Sequence, residues 1–404
     1  MPKGVLSLSL DWLIIGGGIH GVHIAARLLG EAGISPDRLR IVDPGERLLE
    51  HWQRCTATTG MTHLRSPSVH HLDLDPWSLE RFAGKRKRRK SLLLKGRYGK
   101  PALSLFNSHC EKVIDTFGLE DLHITDRALT CSVECDEVRV QLASGSEMRA
   151  HNLVLAIGTG EQPNWPQWAP REHDFVHHIF EPSFDGWPSS CETVAVVGGG
   201  ISSAQVALRL LEQEHHVHMI SRHGLREEMF DSAPGWLGPR YMTRFWSEPD
   251  FDQRRVIINE ARNRGSMPPE VRRLLRRAMT QGQLIWHQAA VEGLDEHGTV
   301  LRFRLRGRAH LDVDRVLLAT GFSSKRPGGA LVDGLIQSAS LPCAECGYPV
   351  VDSGLRWHSN VYVSGPLAEL ELGPVSRNIA GARRAAERLV AVARNVGSRS
   401  MGGS

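Results

Sequence analysis

Two short apolar runs in this chain each stop at three consecutive glycines, and that feature restricts the fold more than any other. Trp12-Leu13-Ile14-Ile15 ends in Gly16-Gly17-Gly18-Ile19-His20-Gly21, after which Val22, Ala25, Ala26 and Leu29 recur at helical spacing. A second apolar run, residues 39–42, ends at Asp43. Strand, glycine turn, helix, strand and terminal acid, in that order, predict a βαβ unit that cradles a dinucleotide. Gly16 permits the tight turn, Gly18 keeps a side chain away from the pyrophosphate, and Gly21 lets helix and strand pack closely. The pyrophosphate then rests on free N–H groups at the helix N-terminus, and Asp43 accepts hydrogen bonds from the adenosine ribose.

The pattern repeats at residues 193–197, followed by Gly198-Gly199-Gly200-Ile201-Ser202-Ser203 and a helix over residues 204–211. Two cradles in one chain suggest two different nucleotides. In the second, Ser203 replaces the third glycine, and the next strand (217–220) runs into Ser221-Arg222-His223 instead of an acid. An acid there would repel a 2′-phosphate, whereas Arg222 would pair with it. The second cradle therefore reads as one for NADPH, unless Arg222 is simply a solvated loop side chain. Residues 152–160 and 314–322, the latter ending Ala319-Thr320-Gly321-Phe322, are each a strand running into a small-residue turn. They bracket the second unit as crossovers would. A late strand at 361–365 precedes Gly373-Pro374, which is expected to open a helix through Leu389 with its dipole aimed at an electron-rich ring edge.

Composition narrows the class. The chain has 404 residues, 41% of them hydrophobic and 40 of them glycine, enough for two or three compact units with real cores. Ten of its 49 Lys/Arg fall in residues 81–100, which hold no acid, so the rest of the chain carries more acid than base. That argues against specific nucleic-acid binding. No membrane-spanning run or signal-peptide plan is evident, and the seven cysteines are odd in number and scattered, so a cytoplasmic protein with mostly reduced thiols is expected. Whether copies associate into a homo-oligomer is left open.

Two glycine motifs, the first ending at an acid, together with Ala319-Thr320-Gly321-Phe322, resemble the two-dinucleotide-binding-domain flavoproteins. Within these the chain is most similar to the FAD-dependent N-hydroxylating monooxygenases, the lysine and ornithine N-monooxygenase-like group. The resemblance implies an α/β fold of two Rossmann-like domains, with the NADPH domain inserted into a split FAD domain. Its parts would be residues 1–168, an NAD(P)H-binding unit at 190–325 with a helical insertion at 225–290, and residues 326–404. It places FAD on Gly16, Gly18, Gly21 and Asp43, with Trp52, Thr320, Gly321 and Gly373 lining the cofactors, and NADPH on Gly198, Gly200, Ser203 and Arg222. Met61, Leu64 and Arg65 become candidate flavin neighbours, and the pair His70-His71 a weaker one. The implied reaction is NADPH oxidation followed by oxygen transfer from a C4a-hydroperoxyflavin to a nucleophilic nitrogen or sulfur of a small molecule. The Baeyer–Villiger type fingerprint ahead of the second glycine motif is missing from residues 175–180, which leaves oxygen as acceptor open.

Other readings compete with this one. Cys343-Ala344-Glu345-Cys346 has the spacing of a redox dithiol, which would make the chain an NADPH–disulfide oxidoreductase of the thioredoxin reductase kind. Zinc binding by that pair would need Cys131 and Cys135 as further ligands. The basic run Lys85 to Lys90 would be a handle for an anionic partner if the flavin served sensing instead of turnover. The arginine-rich stretch 270–279 reads as a helix with Val271, Leu274, Leu275 and Ala278 inward.

Overall fold

The computed structural model describes residues 10–84, 99–134 and 137–401, with side chains described as far as Asn395. The basic run Lys85 to Lys90 and Cys135 lie outside the described residues. Both glycine-terminated runs are strands with a parallel neighbour on each side, and their alternation explains why. In Leu10–Ile15, Trp12 and Ile14 enter one apolar core while Leu13 and Ile15 enter another on the opposite face. In Thr193–Val197, Val194 and Val196 divide from Ala195 and Val197 in the same way. A strand buried on both faces needs cover on both sides; helices supply it on one face of the second sheet, and the antiparallel strands Val300–Leu305 and Leu311–Val313 on the other.

The first sheet has eight strands. Its parallel path runs Val361–Val363, Glu147–Leu155, Leu10–Ile15, Leu39–Asp43, His123–Thr125, with Arg356–His358 antiparallel at one edge and Ala128–Glu134 and Glu137–Leu142 forming an antiparallel arm from Glu147–Leu155. The helices Ile19–Gly30, Leu103–Phe117 and Ile379–Met401 contribute to the core on one face, and Gly329–Ala339 to the core on the other. The second sheet is wholly parallel, in the order Leu284–Gln288, His216–Ser221, Thr193–Val197, Arg315–Leu318, Val176–His178. Its strands thus begin at Val176, within the stretch tested above for the Baeyer–Villiger fingerprint. Beyond it lies an antiparallel trio, Val291–His297, Val300–Leu305 and Leu311–Val313.

The insertion is helical at Pro239–Ser247, Phe251–Ala261 and Pro269–Thr280, while Leu284–Gln288, read above as part of it, belongs to the second sheet. In Pro269–Thr280, Leu275 and Ala278 are buried as expected, but Leu274 is 52% exposed. Leu274 lies at the edge of that apolar face, about 60° from Val271 at 100° per residue, and is left in water. Gly373 does not open the long helix either. A 3-10 turn, Gly373–Arg377, ends at the extended residue Asn378, whose side chain accepts the Gly381 N–H at 3.0 Å, and the helix starts at Ile379.

The insertion is locked onto the C-terminal segment by charge. Glu369 is fully buried and pairs with Arg255 of Phe251–Ala261 and with Arg377 Nε at 2.7 Å. The Tyr348 hydroxyl accepts from Arg377 at 2.8 Å and donates to Ser324 O at 3.0 Å. Removing one charge of such a cluster strands the others in a poorly hydrated site. Glu369→Gln is therefore expected to cost about 3–5 kcal/mol of unfolding free energy in urea titrations. A change within 0.5 kcal/mol, roughly that of an ordinary surface substitution, would contradict this role.

Candidate functional site

Both cradles form where a strand end meets the carbonyl of a neighbouring strand. Gly16, at φ +113°, would place a Cβ 2.6 Å from Ala156 O, and Gly198, at φ +152°, would place one 2.5 Å from Ala319 O. No other residue fits either position. A Cβ at Gly21 would lie 1.8 Å from Gly16 O, so the first helix sits as close to its strand as backbone allows. Gly18 is the opposite case: a Cβ there meets nothing within 4 Å. It borders open space at the start of Ile19–Gly30, a helix with no capping side chain and no acid in its first turn. The first-turn N–H groups are left for a ligand, and an anion suits them. Asp43 holds the turn, with Oδ2 accepting from Gly17 N–H at 2.7 Å and Oδ1 from Gly45 N–H at 2.9 Å. These features fit a dinucleotide pyrophosphate.

The second cradle repeats the plan under tighter cover. The helix Ile201–Glu212 also starts without a capping side chain or an acid. However, Gly265 lies 3.4 Å from where a Gly200 Cβ would stand, and the His223 ring lies 2.8 Å from that of Gly199. Ser203 is fully buried and its hydroxyl donates to Gly200 O at 2.8 Å, so it braces the turn from within and does not line the cradle. Arg222 is exposed just past the end of His216–Ser221 and has no ion-pair partner among the described residues. Thr320 and Gly321 sit where the two crossovers touch: Thr320 Oγ1 donates to Asn164 O at 2.6 Å, and Asn164 N–H donates to Gly321 O at 2.9 Å.

The stretch after the second strand bridges the two units. Arg209 of Ile201–Glu212 donates to Ala57 O at 3.0 Å, tying that helix to Glu50–Thr59. Arg65 donates to the carbonyls of Glu228 and Phe230, both at 2.7 Å, and to Ser266 Oγ at 2.9 Å. Its guanidinium is thus a tether to the insertion. Leu64 is 3% exposed in the first core, and the Trp52 indole N–H donates to Asn107 Oδ1 at 3.1 Å while its ring packs on Phe106. Met61 is half-buried beside them. Gly373, at φ +73°, would set a Cβ 3.1 Å from Met242 Sδ, so it seats the C-terminal turn on the insertion.

Several groups at the first cradle carry no sequence signature. His20, a mere spacer in the glycine motif, shares a 2.8 Å hydrogen bond through Nδ1 with Ser364 Oγ, while its Nε2 is sealed from solvent and unpartnered. This bond brings the end of Val361–Val363 to the helix N-terminus. Burial pushes the His20 pKa down to about 4, and does the same to His70, so both rings are neutral at physiological pH. Asn378 reaches Asp231 Oδ2 at 3.5 Å, and Ser376 Oγ is buried without a partner. The thiols behave otherwise than a redox pair requires. Cys343 and Cys346 are both free, and burial raises both; Cys55 is raised to about 11. An attacking thiol needs its pKa lowered. Cys131 is buried, and no cluster of three or more metal-ligating side chains occurs among the described residues.

A family model described as pyridine nucleotide-disulphide oxidoreductase matches residues 10–388. The chain belongs to that family. No curated protein sequence matches it. Among solved structures, it superposes on an ornithine N-hydroxylase of Kutzneria sp. 744 with a TM-score of 0.77 at 19% identity, over 96% of this chain and 99% of that one. A cadaverine monooxygenase of the desferrioxamine pathway of Erwinia amylovora, bound to FAD, gives 0.75 at 16% identity, over 96% and 95%. A bacillithiol disulfide reductase of Bacillus cereus gives 0.60 at 18% identity, over 96% and 99%. The chain therefore has the two-unit fold of these flavoproteins and is an oxidoreductase of the pyridine-nucleotide family. No helix among the described residues is long and apolar enough to cross a membrane.

The two glycine environments make a paired test. Gly18→Val is expected to fold with a normal melting temperature and to purify without a bound dinucleotide, because its side chain fills the open cradle. Gly21→Ala is expected to lose stability outright, since a methyl group overlaps Gly16 O. Normal cofactor content in Gly18→Val, or a Gly21→Ala protein as stable as wild type, would contradict these assignments.

Proposed function

We propose that this oxidoreductase binds FAD in the first cradle, oxidises NADPH held in the second, and acts as a monooxygenase on a nucleophilic nitrogen of a small amine, with oxygen as co-substrate. The observation that carries this reading is the closer end-to-end superposition on N-hydroxylating monooxygenases, TM-score 0.77 and 0.75, than on the disulfide reductase, 0.60. The raised thiols of Cys343 and Cys346 point the same way. On this reading residues 1–168 and 326–404 serve the flavin, and residues 190–325 serve NADPH. The unpaired cysteines suit a reducing cytoplasm.

When bound, FAD accepts hydride from the nicotinamide and activates oxygen. The chain's own work is positional. Gly18 and the first turn of Ile19–Gly30 seat the pyrophosphate of FAD, and Asp43, already fixed by two backbone N–H groups, turns its remaining lone pairs to the ribose. Gly200 and the start of Ile201–Glu212 do the same for NADPH, with Arg222 on its 2′-phosphate. His20, kept neutral by burial, adds no charge at the helix start that borders the first cradle. Arg65 and Arg209 clamp the two units together and so hold the two cradles at a fixed spacing.

Anaerobic mixing with NADPH is expected to bleach the yellow protein, and air with a panel of short diamines and amino acids to restore colour with formation of a hydroxylamine. Arg222→Ala is expected to raise the KM for NADPH by the equivalent of about 1–3 kcal/mol while leaving that for NADH nearly unchanged. A flavin that NADPH cannot reduce would end the enzymatic reading. NADPH-dependent appearance of two thiols per chain would favour dithiol chemistry at Cys343 and Cys346. Equal KM changes for both nucleotides would remove Arg222 from phosphate recognition.

A further inference from the structure

Arg262 leaves the helix Phe251–Ala261 in extended conformation, φ −86° and ψ 124°, bridged to Ser232 across the insertion. Its neighbours Ala261 and Asn263 line an outer hollow of about 590 Å³. Alternate residues of an extended segment face opposite ways, so the Arg262 side chain turns inward. There Nη1 is shut off from solvent without a hydrogen-bond partner, and the guanidinium makes no ion pair among the described residues.

The surroundings deepen the imbalance. Arg255 and Arg377 lie close by, but both are committed to Glu369. Arg264, also in range, donates only to the neutral Asn259 amide at 2.9 Å. Asp231 is the carboxylate acting on Arg262, without an ion pair between them, and it faces the Asn378 amide as well. Arg65 also lies in range of Asp231, so Arg262 shares that single carboxylate, while Glu369 is taken up by Arg255 and Arg377. A guanidinium does not give up its proton at physiological pH, and burying one unpaired is costly. Among the described residues no carboxylate is hydrogen-bonded to Arg262, which leaves Nη1 free for an anion from outside the chain. Asn378 stands between Asp231 and His20, so the uncompensated charge adjoins the first cradle.

We propose that Arg262, with Arg264 beside it, forms a binding site for an oxyanion, a carboxylate or phosphate group of a small molecule that enters between the insertion and the first cradle. A planar guanidinium presents parallel N–H donors matched to two oxygens of such a group, so the site selects ligands by a forked contact as well as by charge. The proposal concerns binding and stands whichever reaction the oxidoreductase performs. Two sources can supply the anion: the substrate's own carboxylate, or a phosphate of the nicotinamide dinucleotide.

Isothermal titration calorimetry of the protein as purified, against glutarate, inorganic phosphate and NADP+, tests it in wild type, R262Q and R262K. The wild type is expected to bind at least one of the three, with R262Q weaker by about 10- to 100-fold. R262K, which keeps the charge and loses the fork, is expected to fall between them. A loss confined to glutarate or phosphate assigns the anion to the substrate, and a loss shared by NADP+ assigns it to the dinucleotide. If R262Q does not fold, R262K carries the same comparison. Wild-type protein that binds none of the three, or a folded variant that binds every one of them as tightly as wild type, overturns the proposal.

Discussion

The structure depends on a contact between backbone and backbone. At the end of each central strand a carbonyl of the adjacent strand, Ala156 O in the first unit and Ala319 O in the second, occupies the space a side chain would need at Gly16 or Gly198. That approach turns the chain sharply enough for a helix to begin at once, packed against its own strand. The N–H groups of the helix start consequently emerge at the carboxyl edge of a parallel sheet, where loops leave room for a ligand. Twice in this chain a steric exclusion of a few ångströms leaves a helix start without a capping side chain, an arrangement that suits an anion.

What distinguishes the two cradles is their cover. Gly18 opens on free space, with Asp43 fixed below it by two hydrogen bonds. Gly200 lies under Gly265 and Gly199 under His223. An open pocket next to the sheet that also receives the C-terminal segment suits a resident cofactor. Arg65 and Arg209 reach from one unit to backbone carbonyls of the other, so the spacing of the cradles is set by neutral acceptors and is less sensitive to salt than an ion pair would be.

The parts of this arrangement legible in the sequence are the local ones. Glycine turns, apolar strands and the acid at Asp43 are marked by residue type and spacing within short stretches, although the carbonyls that require Gly16 and Gly198 come from distant strands, and the structure has them where the spacing puts them. The site's other half is built from partners far apart in the chain. His20 meets Ser364, Arg65 meets Phe230, Arg255 meets Glu369, and Asp231 meets Asn378, with no periodicity or motif to announce any of them. The same limit explains Leu64, placed by sequence beside the flavin and found packed in the first core, and Ser203, placed on the nucleotide and found bracing its own turn. For Leu274, helical spacing identified an apolar row, but only the tertiary context decides that this row faces water.

The central claim is that the open cradle at Gly18 permanently holds a redox dinucleotide. An absorbance spectrum of the freshly purified protein, with mass spectrometry of whatever heat releases from it, tests this most directly. The account predicts two visible flavin bands and the mass of FAD at one molecule per chain. Colourless protein that takes up no flavin when incubated with it would contradict the account.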